Sequence, residues 1–322
     1  MCNYTILTTI DLSRRSIQLL KRVINFCKLT DYYEIPVIIG HADRNKIQDN
    51  ILKYICKYFK YTKLISIQYS QKDICNSKLR NTGYRYIKSK YMIICDIDIY
   101  PDIDIFEYMY NQCKTDYISM IPCIYLSYIG TQKIIKNKNI SELIKDWLEW
   151  NLHYITHIAV PSSFICIHTD TYKKVGYFDE SYIGHGYEDF DFIFRLALYL
   201  KKIQITPNIF IDKPYISPVF AQGFRGELAK LCIDNLIRKK IAIHLFHKKN
   251  KDRYYKYRKY NSNIFISKMK LLYGDKNTCI KETRYPLINT FFESIEKNKE
   301  DPSDFSILFK NISNKEIINK NK

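Results

Sequence analysis

Three groups of residues in this chain have the types and spacing that chemistry requires. Asp96-Ile97-Asp98 follows the apolar run Tyr91 to Cys95 and precedes Tyr100-Pro101-Asp102. On an extended segment residues i and i+2 point the same way, so the two carboxylates are expected on one side. Paired oxygens of this kind suit Mn²⁺ or Mg²⁺, a hard cation that shares its shell with substrate phosphates and neutralises a diphosphate leaving group. A lone Asp-x-Asp is more often a polar turn at a strand end, so the motif needs partners.

The second group is Gly176-Tyr177-Phe178-Asp179-Glu180 and then Gly184-His185-Gly186-Tyr187-Glu188-Asp189-Phe190-Asp191. Two glycines in three residues make a tight loop that lets the backbone approach a ligand. Glu188 and Asp189 fall in the first turn of the helix that follows, where the dipole favours carboxylates. A carboxylate held there beside a ligand is what general-base catalysis needs. Asp191 has a plainer reading, as the i,i+4 ion-pair partner of Arg195. The third group is His244-Leu245-Phe246-His247, at the end of an apolar run. Read together with Asp98, both imidazoles become candidate nitrogen donors to the same cation.

The elements that must position these groups alternate strand and helix. Tyr4 to Ile10, Tyr33 to Ile39, Thr62 to Gln68 and Tyr91 to Cys95 read as strands. Between them lie three helical stretches: one after Ser13 with Ile17, Leu20, Ile24 and Cys27 as its apolar stripe, Asn45 to Tyr58 with Ile47, Ile51, Leu52 and Ile55, and Asn76 to Lys88. The order predicts a mostly parallel sheet with helices on both faces. Ligands of such sheets bind beyond the carboxyl ends of the strands, where Asp96 and Asp98 stand. Further on, Asp102 to Cys113 is an expected helix, Tyr117 to Tyr125 one strand, Gly130 to Asn139 a Lys-rich loop, Ser141 to about Asn151 a helix, Phe164 to Ile167 a strand, Phe190 to Leu200 an amphipathic helix and Ile241 to Phe246 a strand. The expected organisation is a catalytic domain over 1–250 and a basic, helical or partly disordered extension over 251–322.

Composition narrows the function classes. The 322 residues are 46% hydrophobic and 26% charged, which excludes wholesale disorder. The net charge of +18 would suit a polyanion, yet Lys and Arg are scattered through an Ile-, Asn-, Lys- and Tyr-rich chain and cluster only in the last third. The charge is therefore discounted; a basic face for anionic lipid or an anionic polymer stays open, with no nucleic acid expected. Ten cysteines form no Cys-x-x-Cys and mostly sit in apolar runs, so they read as reduced core residues. A β-like N-terminal run ahead of a basic helix reverses the order of a secretory signal, so the cytosol is the expected compartment.

In this order and spacing the three groups resemble the nucleotide-sugar glycosyltransferases of the GT-A fold. Bacterial capsule-biosynthesis enzymes similar to family 2 and the C-terminal motif of the β-1,4-galactosyltransferase and chondroitin-synthase type are the nearest in pattern. That pattern is met by Gly176, Phe178, Asp179, Glu180, Gly184, Gly186, Glu188, Asp189, Asp191 and Arg195. His185 stands where a Trp is usual in the acceptor site, which bears on acceptor choice. Asn76-x-x-x-Arg80-Asn81-x-Gly83 is similar to the helix that flanks the donor pocket, and Tyr254, Tyr255, Arg258 and Asn261 to a tail motif.

The resemblance implies a metal-dependent, inverting transfer from a nucleoside-diphosphate sugar, UDP above all. The acceptor would be an oligosaccharide or lipid-linked glycan of capsule or surface polysaccharide. Arg14, Arg15, Asp43, Arg80 and Asp96 would line the donor site, Asp98 with His244 and His247 would bind Mn²⁺ or Mg²⁺, Asp189 would be the base and Glu188 would orient the acceptor. The basic residues Lys248, Lys249, Lys251, Arg253, Lys256, Arg258 and Lys259 would attach the protein to the inner membrane face. A sugar nucleotidyltransferase is the other enzyme reading, but Thr8 to Arg15 lacks the glycine-rich phosphate loop it needs. A basic nucleic-acid-binding module leaves Asp98, Glu188 and Asp189 without a role.

Overall fold

The computed structural model describes residues 2–137, 139–149, 153–207, 209–213, 217–248, 256–274 and 286–309. In chain order the first elements are β1 (Tyr4–Ile10), α1 (Ser16–Tyr32), β2 (Val37–Asp43), α2 (Ile47–Lys57), β3 (Thr62–Gln68), α3 (Asn76–Tyr84), β4 (Tyr91–Ile94) and α4 (Ile103–Asp116). Then come β5 (Ile118–Met120), β6 (Cys123–Leu126), α5 (Tyr128–Asn137), α6 (Ile140–Leu148), β7 (Ile155–Ala159), β8 (Ile165–His168), α7 (Thr169–Lys174) and α8 (Glu188–Tyr199). The last are β9 (Asp212–Lys213), β10 (Gln222–Gly223), α9 (Phe224–Ala229), α10 (Ile233–Ile237), β11 (Ala242–His244), α11 (Arg258–Tyr273) and α12 (Pro286–Asn298).

Two compact units share the chain. The first comprises Met1–Ser119, Ser163–Leu200 and Lys248–Lys268, and the second Met120–Ser162, Lys201–His247 and Met269–Lys322. The first unit carries a sheet of order β3-β2-β1-β4-β8-β5. β1 is parallel to β2 and to β4, and β2 to β3, while β8 runs antiparallel to β4. This is the mostly parallel, helix-flanked sheet expected from the alternation. β1 and β2 are almost wholly buried, as strands covered on both faces must be, whereas β3 at the sheet edge is largely half-exposed. Gly40 of β2 faces α3: a Cβ there would lie 2.4 Å from the Leu79 carbonyl oxygen, so glycine lets the helix close on the sheet.

The second unit holds a three-stranded sheet of order β11-β6-β7, with β11 parallel and β7 antiparallel to β6. β9 and β10 form a short antiparallel pair. α12 packs on α10 and α9, and the Phe291 ring meets Phe305 and Phe309.

Several local expectations are corrected. The buried face of α1 is Leu19, Arg22, Val23, Phe26, Cys27 and Thr30, and Ile17 lies 71% exposed. On α2 the buried residues are Asp49, Leu52 and Cys56, with Ile47 and Ile51 outside. Tyr117 to Tyr125 is two strands, because Ile121-Pro122 interrupts the run. Gly130 to Asn139 is mostly the helix α5. α1 starts at Ser16 rather than being capped by Ser13, and β2 begins only after Pro36 and takes in Gly40. Cys2 is half-buried, and Cys27, Cys56, Cys75, Cys95, Cys113, Cys123, Cys166 and Cys232 are buried; all nine are free thiols, and Cys279 lies outside the described residues.

Candidate active site

The centre of the first unit's carboxyl edge is a buried arginine. Arg80, in α3, has a side chain only 3% exposed. Its Nη1 donates to Asp189 Oδ1 at 2.8 Å and lies 3.9 Å from Glu188 Oε1. Its Nη2 donates to Asp96 Oδ1 at 3.3 Å. One guanidinium thus gathers the carboxylate beyond β4 and the two that open α8. An arginine this deep is stable only when paired, and three anions around it hold its own pKa well above the usual value against the cost of burial.

The glycine motifs build the support for that arginine. Phe178 stacks on Phe192 of α8 at 4.3 Å and lies under the Arg80 guanidinium at 4.7 Å. Asn81, beside Arg80, donates to the Phe178 carbonyl at 2.9 Å and accepts from the Phe178 N–H at 3.1 Å. The Arg-Asn pair of α3 is therefore a pincer: one side chain holds the carboxylates and the other the Gly-x-Phe-Asp-Glu turn. Arg195 closes that turn from α8, donating to the carbonyls of Val175 at 2.6 Å and Tyr177 at 2.8 Å. It also donates to Asp191 Oδ2 at 2.6 Å, which is the i,i+4 pair read from the sequence.

Entry into α8 runs through left-handed backbone. Gly184 has φ +72°, Gly186 +94° and Tyr187, the N-cap, +73°. The two glycines adopt this conformation without the Cβ penalty. Asn261 of α11, fully buried, donates to the carbonyls of Ile183 at 2.9 Å and Gly186 at 3.0 Å. Arg258 Nη1 is 3.2 Å from His185 Nε2, and its guanidinium lies over the Tyr187 ring at 5.7 Å. The helix after the histidines thus clasps the Gly-His-Gly loop. Tyr254 and Tyr255 lie outside the described residues.

The two acids of α8 differ in access. The Glu188 side chain is 5% exposed and Asp189 27%, so only Asp189 is open to an incoming molecule. Burial, then the neighbouring Asp189 charge, raise the Glu188 carboxyl well above its ordinary range, although Arg80 pulls the other way. Glu188 Oε2 is buried and has no hydrogen-bond partner among the described residues. Desolvation also raises Asp96; Arg80 lowers it and Asp189 lifts it again, for a net upward shift. The Asp96 side chain keeps 40% of its surface, so water relieves part of that cost.

Asp96 and Asp98 are hydrogen-bonded by different arginines, Asp96 by Arg80 and Asp98 by Arg15 and Arg22. β4 stops at Ile94, and Asp96 to Ile99 is a turn closed by the Ile99 N–H on the Asp96 carbonyl at 3.0 Å. The expected extended geometry is replaced by a turn, with Asp98 close enough to act on the Asp96 charge. Asp98, 4% exposed, is held by Arg15 at 2.9 Å and by Arg22. Arg22 was not legible as a site residue; its signal is an arginine on the same helical face as Leu19, Val23 and Phe26. Burial lowers the pKa of Arg22, and Asp98 raises it in part compensation.

The other donor-site candidates separate. Arg14, Arg15, Ser13, Lys46 and Gln48 line a cleft of about 320 Å³ at the start of α1. Asp43 is buried and engaged by Lys53 at 2.6 Å, Gln68 at 3.2 Å and the Asn45 N–H at 3.0 Å. Burial raises its pKa, but Lys53 and that N–H outweigh it and the net shift is downward. In the second unit His244 ends β11 and stacks on Tyr125 at 4.1 Å, and the His244 and His247 rings are 5.4 Å apart.

Residues 18–271 match the family described as glycosyltransferase like family 2. The chain belongs to this family. The GT-A glycosyltransferase resemblance read from its motifs stands with that membership. None of the curated proteins compared matches it. Among solved structures, Staphylococcus aureus TarS 1-349 is similar at 12% identity, covering 61% of this chain and 56% of that one, with TM-score 0.42. The catalytic domain of Drosophila β1,4-galactosyltransferase 7 with xylobiose is similar at 14% identity, 60% and 59% coverage and TM-score 0.32. TarS 1-349 in complex with UDP-GlcNAc aligns over 92% of this chain and 80% of that one, at 11% identity and TM-score 0.41. The chain spans a little over half the length of the first of these solved chains.

Proposed function

We propose that this protein is a metal-dependent, inverting glycosyltransferase. It moves a sugar from a nucleoside-diphosphate donor, UDP-linked in the first instance, to a glycan acceptor in capsule or other surface polysaccharide synthesis. The observation that carries this reading is the convergence of Asp96, Glu188 and Asp189 on the buried Arg80 at the carboxyl edge of a parallel sheet. Family membership favours it over a nucleotidyltransferase or a nucleic-acid module. TarS has been solved with UDP and with UDP-GlcNAc, and a galactosyltransferase 7 mutant with manganese, UDP-Gal and xylobiose. A uridine-diphosphate sugar is the corresponding donor proposed here.

In this mechanism Asp189 accepts the proton of the acceptor hydroxyl, that oxygen bonds to the anomeric carbon, and the bond to the diphosphate oxygen breaks with its electron pair. Glu188, whose carboxyl is raised by burial and by the Asp189 charge, is proposed to orient the acceptor rather than to act as the base. Arg80 keeps Asp189 in place.

For the metal, a carboxylate with imidazoles is a donor set that suits Mn²⁺, and the proposed ligands are Asp98, His244 and His247. Asp98 is held by Arg15 and Arg22, and one of them would have to yield for a cation to bind. Arg15, with 25% of its side chain exposed against 8% for Arg22, is the one able to leave and pair with a donor phosphate instead. When bound, the ion would supply charge neutralisation for the departing diphosphate.

No described helix is long and apolar enough to cross a membrane. Peripheral attachment through the basic segment after His247 remains part of the proposal, although Arg258 is engaged with His185 and Tyr187, and Lys249, Lys251 and Arg253 lie outside the described residues. The decisive experiment is a panel of nucleotide sugars with Mn²⁺, with and without EDTA, read by released nucleoside diphosphate. EDTA-sensitive release from a uridine donor is expected. No release from any donor removes the reading.

A further inference from the structure

The outer face of α1 and α2 borders the Arg14 and Arg15 cleft but supplies none of the candidate catalytic or metal residues, and its composition is unusual. β1, β2 and β3 lie side by side and parallel in chain order, so successive right-handed crossovers put α1 and α2 on one face of the sheet. The two helices pack against each other there. Their inward residues are ordinary core. Their outward residues are apolar as well.

On α2 the outer stripe is Ile47 at 77%, Ile51 at 43%, Tyr54 at 62% and, at the helix end, Tyr58 at 70% exposure. The spacing of four, three and four is one continuous line along the helix. Tyr54 and Tyr58 form an edge-to-face pair with ring centroids 5.1 Å apart. On α1 the outer residues Ile17, Ile24 and Tyr32 are likewise exposed. Of the nineteen exposed large apolar side chains described, eight fall between Ile17 and Tyr58 on or just past these helices, so they form a field rather than scattered singles.

The exposed charges within the two helices have one sign, with the exposed Glu34 two residues past α1. Lys21 and Lys28 on α1 and Lys46 and Lys57 around α2 are exposed. The acids of the two helices are withdrawn: Asp49 is buried and takes the N–H groups of Arg44 and Lys46, and Asp31 is half-buried and takes the Tyr61 N–H at 2.7 Å.

We propose that the outer face of α1 and α2 is a docking surface for an anionic lipid bilayer. Isoleucines enter the headgroup boundary, tyrosines sit there with ring in and hydroxyl out, and lysines lay their stems along the apolar stripe with the ammonium toward phosphate. A second copy of the chain is the less suitable occupant. An isologous contact would bring lysines against lysines on a protein of net charge +18. The proposal does not depend on the catalytic reading. Ile17 and Lys46 also line the cleft that holds Arg14 and Arg15, so docking brings that cleft to the bilayer surface, where a lipid-linked acceptor would be.

The test is co-sedimentation of the full chain with vesicles of phosphatidylcholine alone and of phosphatidylcholine mixed with phosphatidylglycerol. Binding to the mixed vesicles, weakened by salt, is expected. Lys28→Gln with Lys57→Gln should lower the partition coefficient about 25-fold, at about fivefold per cation. Ile51→Ser with Tyr54→Ser should lower it on both kinds of vesicle. All four positions are surface-exposed or half out of the core, so unchanged thermal melting serves as the folding control. Lys256→Gln with Lys259→Gln tests the C-terminal basic segment in parallel. The proposal is overturned if the α1 and α2 variants bind as the parent does, or if only the C-terminal pair weakens binding. It is also overturned if the parent ignores vesicles but forms a dimer that Ile51→Ser with Tyr54→Ser dissociates.

Discussion

Removing the Arg80 charge tests the logic of the site without presupposing a substrate. Arg80→Gln leaves Asp96, Glu188 and Asp189 facing one another without their cation, two of them on adjacent residues and Glu188 already sealed from water. Breaking a buried ion pair from one side costs about 3–5 kcal/mol, because the remaining charge is desolvated and uncompensated. For a unit of this size that is roughly 6–20 °C in melting temperature. The loss should depend on pH in a defined direction. Glu188 and Asp96 are already raised above their ordinary values in the folded protein, so between the unfolded and the folded pKa the native state holds protons that the unfolded chain has released. Stability then falls as pH rises through that window and is greatest below it. Without Arg80 both carboxyls move further up and the slope steepens toward neutrality. Thermal melts of parent, Arg80→Gln and Arg80→Gln with Glu188→Gln from acid to neutral pH read this directly. The single variant should approach the parent in acid and diverge above it, and Glu188→Gln should recover part of the deficit. A deficit that is constant with pH, or no deficit at pH 7, refutes the idea that Arg80 exists to hold these acids.

Asp189→Asn keeps the shape and removes the base, so kcat should fall about 10²–10⁴-fold with donor KM nearly unchanged, and the parent's product should have inverted anomeric configuration; normal kcat, or retention, shifts the assignment to Glu188 or Asp191. Asp98→Asn should remove the EDTA-sensitive part of turnover, and a variant with full metal-dependent activity excludes Asp98 as a ligand. Arg14→Gln and Arg15→Gln should raise donor KM with little change in kcat, measured by initial rates over donor concentration. Asn261→Ala loosens the Gly-His-Gly loop and should lower kcat, while amide exchange across 183–187 speeds up; a stability loss with unchanged exchange there makes Asn261 merely structural.

The sheet was legible because β1 is rich in β-branched residues and β4 is apolar throughout. Helix faces were not. In an Ile-rich chain isoleucine loses its value as a core marker, and the stripe Ile17, Leu20, Ile24 pointed away from the face that carries Leu19, Val23 and Phe26. Buried arginines were missed for a related reason: Arg22 looks like one more surface cation until its partner Asp98 is placed, and that partner is 76 residues away. β2 began later than its hydrophobicity implied because α1 runs to Tyr32 and Pro36 has no N–H for the ladder. The Asp-x-Asp geometry failed at shorter range, since nothing in Asp96-Ile97-Asp98 itself shows that the chain turns at Ile99.

The motifs that were legible turn out to divide their labour in a way spacing alone does not reveal. Of the Gly-x-Phe-Asp-Glu run, Phe178 is the part that bears on Arg80, through its ring beneath the guanidinium and its backbone in the grip of Asn81. Asp179 and Glu180 face elsewhere, to Lys268 and to Asn81. The run is thus scaffold, and the acids proposed to act stand behind the second glycine loop. That loop is fixed from outside by Asn261, a residue more than seventy positions downstream. The exposed Asp189 therefore depends on three separate segments for its position: α3 through Arg80, the Phe178 turn beneath that arginine, and α11 through the loop. The base proposed here, held this way, would keep one orientation without being buried, as an acceptor-activating carboxylate requires, because it must be reachable by a hydroxyl and still aimed at one carbon.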